Sequence, residues 1–255
     1  MTDAISRAAE EWFGIKADPD DIQKLHTYIK KTYGAENPAI ITQVFSSGEA
    51  ADILTVNETY FFREPAHFTL LMENLPLYEK TGIRICCAAV AAGCEAYSIA
   101  MLIEAYNKGL AAGEKPLPYH IDAFDINPKV IAAAITGTYG ERALRDDGDC
   151  FHYMAAPYLQ KLEYGYQIET SLQKNISFFE HNLMDKFSSK DYDVIFFRNA
   201  FIYFSHKNRQ QVLSNISAAL KKDGILIMGV SETAGVNHPD LDDTNTNDVF
   251  YFVKK

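Results

Sequence analysis

Residues 83–105 read IRICCAAVAAGCEAYSIAMLIEA. Ile83 to Val90 form a nearly continuous apolar run, as expected of a parallel strand buried on both faces. Small residues follow, from Ala91 to Ala96, and then YSIAMLIEAYNKG reads as a helix. Working outward, YHIDAFDI (119–126) is a second strand with an acid, Asp125, near its end. NPKVIAAAITGTYG is another helix with an early proline. Strand, small loop, helix, strand, acid, helix is a βαβ order, and it implies an α/β fold built on a parallel sheet.

The same rhythm returns downstream. NISFFEHNL is a strand. YDVIFFRNAFIYF starts as a strand and meets a polar interruption at Arg198-Asn199. SHKNRQQVLSNISAALKKDG is a long helix, with Ser205 placed to cap it and Gly224 just past its end. ILIMGVS and DVFYFVKK are further strands. Residues 138–174 break the rhythm. They are polar and tyrosine-rich, and read as an insertion with short strands such as YGYQIET.

Residues 1 to about 50 read as a small helical unit. DPDDIQKLHTYIKKTYG opens with acids suited to an N-cap and stops at Gly34. Ile22, Leu25, Tyr28 and Ile29 share one face, and Lys24, Lys30 and Lys31 lie off it. NPAIITQVFSSG is a second short helix. In EPAHFTLLMENLP, Pro65 suits a first helical turn and Pro76 ends the helix.

The 255 residues allow one large domain, or a catalytic domain with a small extra one, and 47% apolar content supports a sizeable core. A formal charge of -10 makes nucleic acid an unexpected partner, because phosphate binding needs a basic face. An acidic substrate would need a local basic patch to approach. No apolar run is long enough for a membrane span, and the N-terminus has no signal-peptide core, so a cytoplasmic protein is expected. Cys86, Cys87, Cys94 and Cys150 lack CxxC spacing and read as buried thiols, and no metal site is expected.

GxGxxG, GxxxxGK[ST] and HExxH are absent, and GVSET lacks the second glycine of a nucleophile elbow. What remains is the logic of an open α/β sheet, in which ligands bind outside the carboxyl ends of the strands. The small residues of AAGCE let a ligand approach the backbone. Asp125 is placed to accept hydrogen bonds from ribose hydroxyls. A nucleoside cofactor without a pyrophosphate, S-adenosylmethionine, fits such a site. Each feature also has a plain structural reading: small βα turns are common, and a strand-end Asp often caps the next helix.

TVNETYFFREPAHF (55–68) closely resembles the signature of the CheR family, the chemotaxis receptor glutamate methyltransferases. Four further segments resemble that family in the same order. They are the residue 83–105 stretch, AFDINPKVIAAAITGTYGERAL, ISFFEHNLMD, and YDVIFFRNAFIYFSHKNRQQVLSNISAALKKDGILIMGVSET. The resemblance covers about residues 50–255. It implies a class I methyltransferase (Rossmann-like) sheet with a small N-terminal helical domain (1–54), a linker and lid segment (55–80) and a cofactor-binding domain (81–255). The insertion at about 138–174 sits where the family carries a small β-subdomain. By the resemblance, Asn57, Thr59 and Arg63 lie over the cofactor. Glu95 and Asp125 hold its amino-acid or ribose parts, Asn182 and Leu183 border the adenine, and Arg198 and Asn199 line the same cleft. Arg63 and Tyr203 face the substrate carboxylate. The implied reaction moves a methyl from S-adenosylmethionine to glutamates on chemoreceptor helices, leaving S-adenosylhomocysteine.

Two departures from the family pattern stand out. Gly93-Cys94-Glu95-Ala96 replaces the usual Gly-Glu-Glu-Pro, after AAVAAG in place of a more polar run. Residues 1–50 hold only Arg7, Lys16, Lys24, Lys30 and Lys31 as bases, with no Arg-rich helix. Two alternatives therefore stay open: a non-catalytic docking module with the same fold, and a methyltransferase with another acceptor.

Overall fold

The computed structural model describes residues 2–255, apart from the side chains of residues 2, 146 and 147. Its strands are β1 Ile83–Ala88, β2 Tyr119–Asp125, β3 Thr138–Tyr139, β4 Leu159–Leu162, β5 Gly165–Ile168, β6 Ile176–Glu180, β7 Tyr192–Phe197, β8 Leu220–Met228, β9 Leu241–Thr246 and β10 Val249–Lys254. Its α-helices are α1 Thr2–Ala8, α2 Pro19–Tyr33, α3 Pro38–Ser46, α4 Glu49–Leu54, α5 Pro65–Asn74, α6 Cys94–Gly109, α7 Pro128–Thr136, α8 His152–Ala155, α9 Thr170–Gln173 and α10 His206–Ala219.

The main sheet has the order β6-β2-β1-β7-β8-β10-β9. The pairings from β6 through β8 are parallel, and those of β10 with β8 and β9 are antiparallel. This is the α/β class read from the sequence, and the apolar run 83–90 explains its centre. Every residue of β7 and all but Arg84 of β1 are buried, since layers cover both faces. The chain moves outward from β1 to β2 and β6, then returns to place β7 on the other side of β1. The strand order therefore reverses between β1 and β7, and a crevice opens there.

The insertion forms a separate antiparallel sheet, β3-β5-β4. The N-terminal helices behave as their ends predict. Asp18 accepts from the Asp20 N–H at the start of α2, and Gly34 closes it with φ +71°.

Three expectations need correction. Cys150 is exposed, in the short turn of the polar insertion, whereas Cys86, Cys87 and Cys94 are buried. Helix α10 ends at Ala219, before Gly224, because Leu220 turns into the sheet opposite Tyr192. The next pair is Ile225 with Val194, so residues 221–224 bulge from the strand with Asp223 at φ +62°. Ser205 sits at the N-cap of α10, but its hydroxyl makes no cap bond and has no partner. Strand β9, where the sequence pattern assigns no element, has a polar DDTNT sequence because it is an outer edge strand.

Candidate active site

A crevice lies between the ends of β1 and β7, with about 1020 Å³ of empty space that is partly open to solvent. Asn57, Thr59, Arg63, Glu95, Asp125, Asn182, Leu183, Arg198, Asn199 and Tyr203 all line it. Segments far apart in the chain thus meet at one place.

The segment 55–64 folds over this crevice because its aromatics are anchors. Phe61 and Phe62 are 0% exposed, and each such burial contributes roughly 1.5–3 kcal/mol. Phe62 and Glu64 hold left-handed backbone, at φ +55° and +56°, which costs about 1–2 kcal/mol per residue. Fixed partners offset that strain. The Phe62 N–H donates to Ser98 Oγ at 2.9 Å, and Arg198 donates to the Arg63 carbonyl. Arg63 itself is loosely held. Its Nη1 reaches the Glu58 carbonyl only at 3.4 Å, and its guanidinium lies 5.5 Å from the Tyr60 ring centre.

The loop after β1 keeps a glycine-like shape without the glycines. Ala89 and Ala91 have φ +58° and +50°. Gly93, at φ +88°, has no room for a side chain, since a Cβ would meet Ala134 at 2.8 Å. Asp125 holds this loop: its Oδ2 accepts from the Ala91 N–H at 2.9 Å and its Oδ1 from the Asn127 N–H at 3.0 Å. Asp125 is 6% exposed, and burial pushes its carboxyl upward against those two backbone donors. The plain capping role is shared with Asn127, whose side chain caps α7.

Arg198 is the buried hub. Its side chain is 2% exposed and pairs with Glu95 at 3.0 Å and Glu64 at 3.2 Å. Burial raises Glu95 above the usual carboxylate range despite the Arg198 charge. Burial also acts upward on Glu64, but Arg198 and the Asn199 amide outweigh it and lower Glu64. Several polar groups in the cleft are committed internally. Asn182 Nδ2 donates to the Trp12 carbonyl at 2.6 Å, its Oδ1 accepts from Met184, and Asn57 bonds Thr55.

Sequence reading missed four residues here. Glu64 joins Arg198 to Asn199, whose Nδ2 it accepts at 3.1 Å. Glu232, 2% exposed, accepts from the N–H groups of Asn199, Gly229 and Ile202, and so fixes the turn after β7. His181 lines the cleft edge-on to Phe124 at 4.8 Å. His67 lies buried beside Glu64. A buried acid after FFR and another after the last parallel strand were the available signals.

Burial, with the Arg198 charge, drives the His67 pKa from 6.5 down to about 4, against the pull of Glu64. A depressed folded pKa means stability that is present above the unfolded value and lost as pH falls. The fold should therefore weaken between pH about 6.5 and about 4, by up to about 3 kcal/mol from this group. Urea unfolding across that range should show a shallower decline in His67→Gln. An identical decline would remove His67 as the cause.

The donor set suits S-adenosylmethionine. Arg198 Nε and His181 Nε2 are buried on the cleft wall with no partner in the chain, and buried polar atoms are ordinarily satisfied. Asp125 offers acceptors for a ribose diol, Glu95 offers one for an ammonium, and Ile126 and Leu183 give an apolar wall for a base. Among the described residues, no group of three or more His, Cys, Asp or Glu is arranged to hold a metal ion. None of their helices is long and apolar enough to cross a membrane.

Residues 57–249 match the family described as CheR methyltransferase, SAM binding domain. A chemotaxis protein methyltransferase of Borreliella burgdorferi is 36% identical over 196 residues, covering 72% of this chain and 67% of that protein. One from Listeria monocytogenes is 30% identical over 207 residues, 80% of this chain and 75% of that protein. A probable biofilm formation methyltransferase, WspC, of Pseudomonas aeruginosa is 30% identical over 72% of this chain but only 43% of its own length.

Proposed function

Because the chain belongs to the CheR methyltransferase family, we propose that it transfers a methyl group from S-adenosylmethionine to glutamate carboxylates on the cytoplasmic helices of chemoreceptors. The proposed division is a helical unit at 1–54 (residue 1 lies outside the described residues), a lid segment at 55–80 and a methyltransferase domain at 81–255. The inserted β-unit spans about 138–174. The observation that carries the reading is a loosely held guanidinium, Arg63, lining the same cleft as the Tyr203 phenol.

Bound in the cleft, the cofactor supplies an electrophilic methyl on a positively charged sulfur, which departs as the neutral thioether of S-adenosylhomocysteine. The chain's residues set the geometry. A glutamate side chain, with an ordinary pKa of about 4.3, arrives ionised at neutral pH, so no general base is required. Arg63 orients that carboxylate through paired, charge-assisted hydrogen bonds. Tyr203 adds a hydroxyl donor. Burial, helped by the Glu232 and Glu58 charges and opposed by Arg63, raises its pKa, so the phenol stays protonated. Arg63 and Tyr203 would thereby aim the carboxylate oxygen at the cofactor's methyl, and positioning of this kind supplies much of the rate. As the ester forms the acceptor loses its charge, which weakens its hold on Arg63 and favours release.

The test is transfer of labelled methyl to a receptor fragment, with base-labile ester as the product. Arg63→Ala should lower kcat/KM for the acceptor about 100-fold, the loss of two charge-assisted hydrogen bonds. S-Adenosylmethionine affinity should change far less. Undiminished transfer, or a base-stable product, would remove the carboxylate assignment.

A further inference from the structure

The inserted β-unit has no task in the chemistry so far, yet its near corner, residues 139–151, is bound to the segment carrying Arg63. The Phe61 N–H donates to the Ala143 carbonyl at 2.8 Å. Arg145 pairs with Glu58 at 2.6 Å, and its guanidinium lies 4.3 Å from the Tyr60 ring centre, the ring that Arg63 also approaches. Phe61 meets Tyr139 edge-on at 5.0 Å, and Phe62 stacks on Phe151 at 5.4 Å. A Cβ on Gly148 would lie 2.8 Å from the Phe61 carbonyl oxygen, so the two backbones are already close. The same corner reaches the cofactor loop, where the Tyr139 hydroxyl donates to the Ala92 carbonyl at 2.6 Å.

We propose that this corner is a positioning platform. It holds residues 58–62, and through them Arg63, in place over the cleft, with Arg145 as the positioning residue at its outer edge. The proposal rests on Arg63 being the group that orients the acceptor carboxylate. The far side of Arg63 is anchored independently, by Arg198 on the Arg63 carbonyl, while Ser98 holds the Phe62 N–H on the near side. Arg63 therefore sits between two anchors on different parts of the fold. The inner anchor is buried. The outer ion pair is exposed, and is weak for that reason, with the ring contact adding to it. Removing the outer anchor leaves the segment attached but free to swing.

The experiment is amide hydrogen exchange on the full chain, without acceptor, alongside steady-state transfer. In Arg145→Ala, exchange at Phe61 should accelerate about tenfold, the combined worth of an exposed pair and a cation–ring contact. Exchange in β1 should stay unchanged. The kcat should fall by a similar factor, while calorimetric affinity for S-adenosylhomocysteine stays within about twofold. The exchanged pair, Glu58→Arg with Arg145→Glu, should restore the ion-pair share of slow exchange and turnover, though not the contribution of the Arg145 cation over the Tyr60 ring. Exchange at Phe61 equal to the unsubstituted protein in Arg145→Ala would overturn the proposal. Faster exchange with unchanged kcat would overturn it too. Failure of the exchanged pair to restore either property would reduce Arg145 to general packing and overturn its positioning role. Should the unsubstituted chain transfer no methyl to receptor glutamates, the acceptor reading falls, and the exchange measurement still decides the platform.

Discussion

Replacing Arg198 by methionine is expected to cost the fold about 3–5 kcal/mol at pH 8, the range seen when one partner of a buried ion pair is removed. Methionine fills a similar volume, so the loss is electrostatic rather than a cavity. Glu64 and Glu95 share this guanidinium, at 3.2 and 3.0 Å, and both would be left ionised in a site with little water. Their escape is to take up protons. The folded carboxyls of the variant then have pKa values above the unfolded range, and a raised pKa means stability kept at low pH and lost as pH rises. The deficit should therefore be smaller at pH 5 than at pH 8. Urea unfolding of both proteins at the two pH values measures this. A deficit under about 1 kcal/mol at pH 8 would be the behaviour of a surface pair, and would contradict the hub role.

Asp125→Ala should weaken S-adenosylmethionine binding at least about 100-fold, as expected from losing charge-assisted hydrogen bonds to a ribose diol. The substitution also strips the Ala91 N–H of its partner. The two left-handed alanines would then have less to hold them, and the loop would relax toward ordinary backbone. Asp125→Asn, which keeps one acceptor oxygen, should fall between the two. Calorimetric titration with S-adenosylmethionine and S-adenosylhomocysteine reads the effect directly. Equal affinity in Asp125→Ala would return this residue to a capping role alone. Absence of binding in the unsubstituted chain would favour a docking module that has kept the fold.

The centre of the fold was legible because its physics is local. Residues 83–90 are apolar without alternation, and only a two-sided buried strand calls for that. The small loop and Asp125 followed from where such strands end. The family resemblance then named residues that the structure brings into one cleft, including Arg63 and Tyr203, which composition alone would not have paired. Other features depend on partners far away in sequence. Glu64 acquires meaning only from Arg198, 134 positions later by number, and Glu232 only from the Asn199 turn it holds. Nothing near His67 announces its low pKa. The α10–β8 boundary was misplaced because LKKDG continues a helical pattern, while the sheet claims Leu220. Asn182, expected beside the adenine, lines the cleft, and the partners of its amide, the Met184 N–H and the distant Trp12 carbonyl, were not legible in the sequence.

That last contact belongs to a longer seam. Ile15 bridges Phe204, the Ser205 N–H donates to the Gly14 carbonyl, and Asn208 reaches the carbonyls of Glu10 and Gly14. Phe13 and Ile15 also wall the cleft. One side of the pocket is thus made by the earliest residues closing on a turn nearly 190 positions later. Contacts of such separation carry a large loop-closure cost and form late. On a ribosome, the strands that frame the crevice can pair while it still lacks a wall. The finished pocket waits until the turn beyond β7 has emerged, so a chain stalled before that point would hold most of the sheet and lack this one wall.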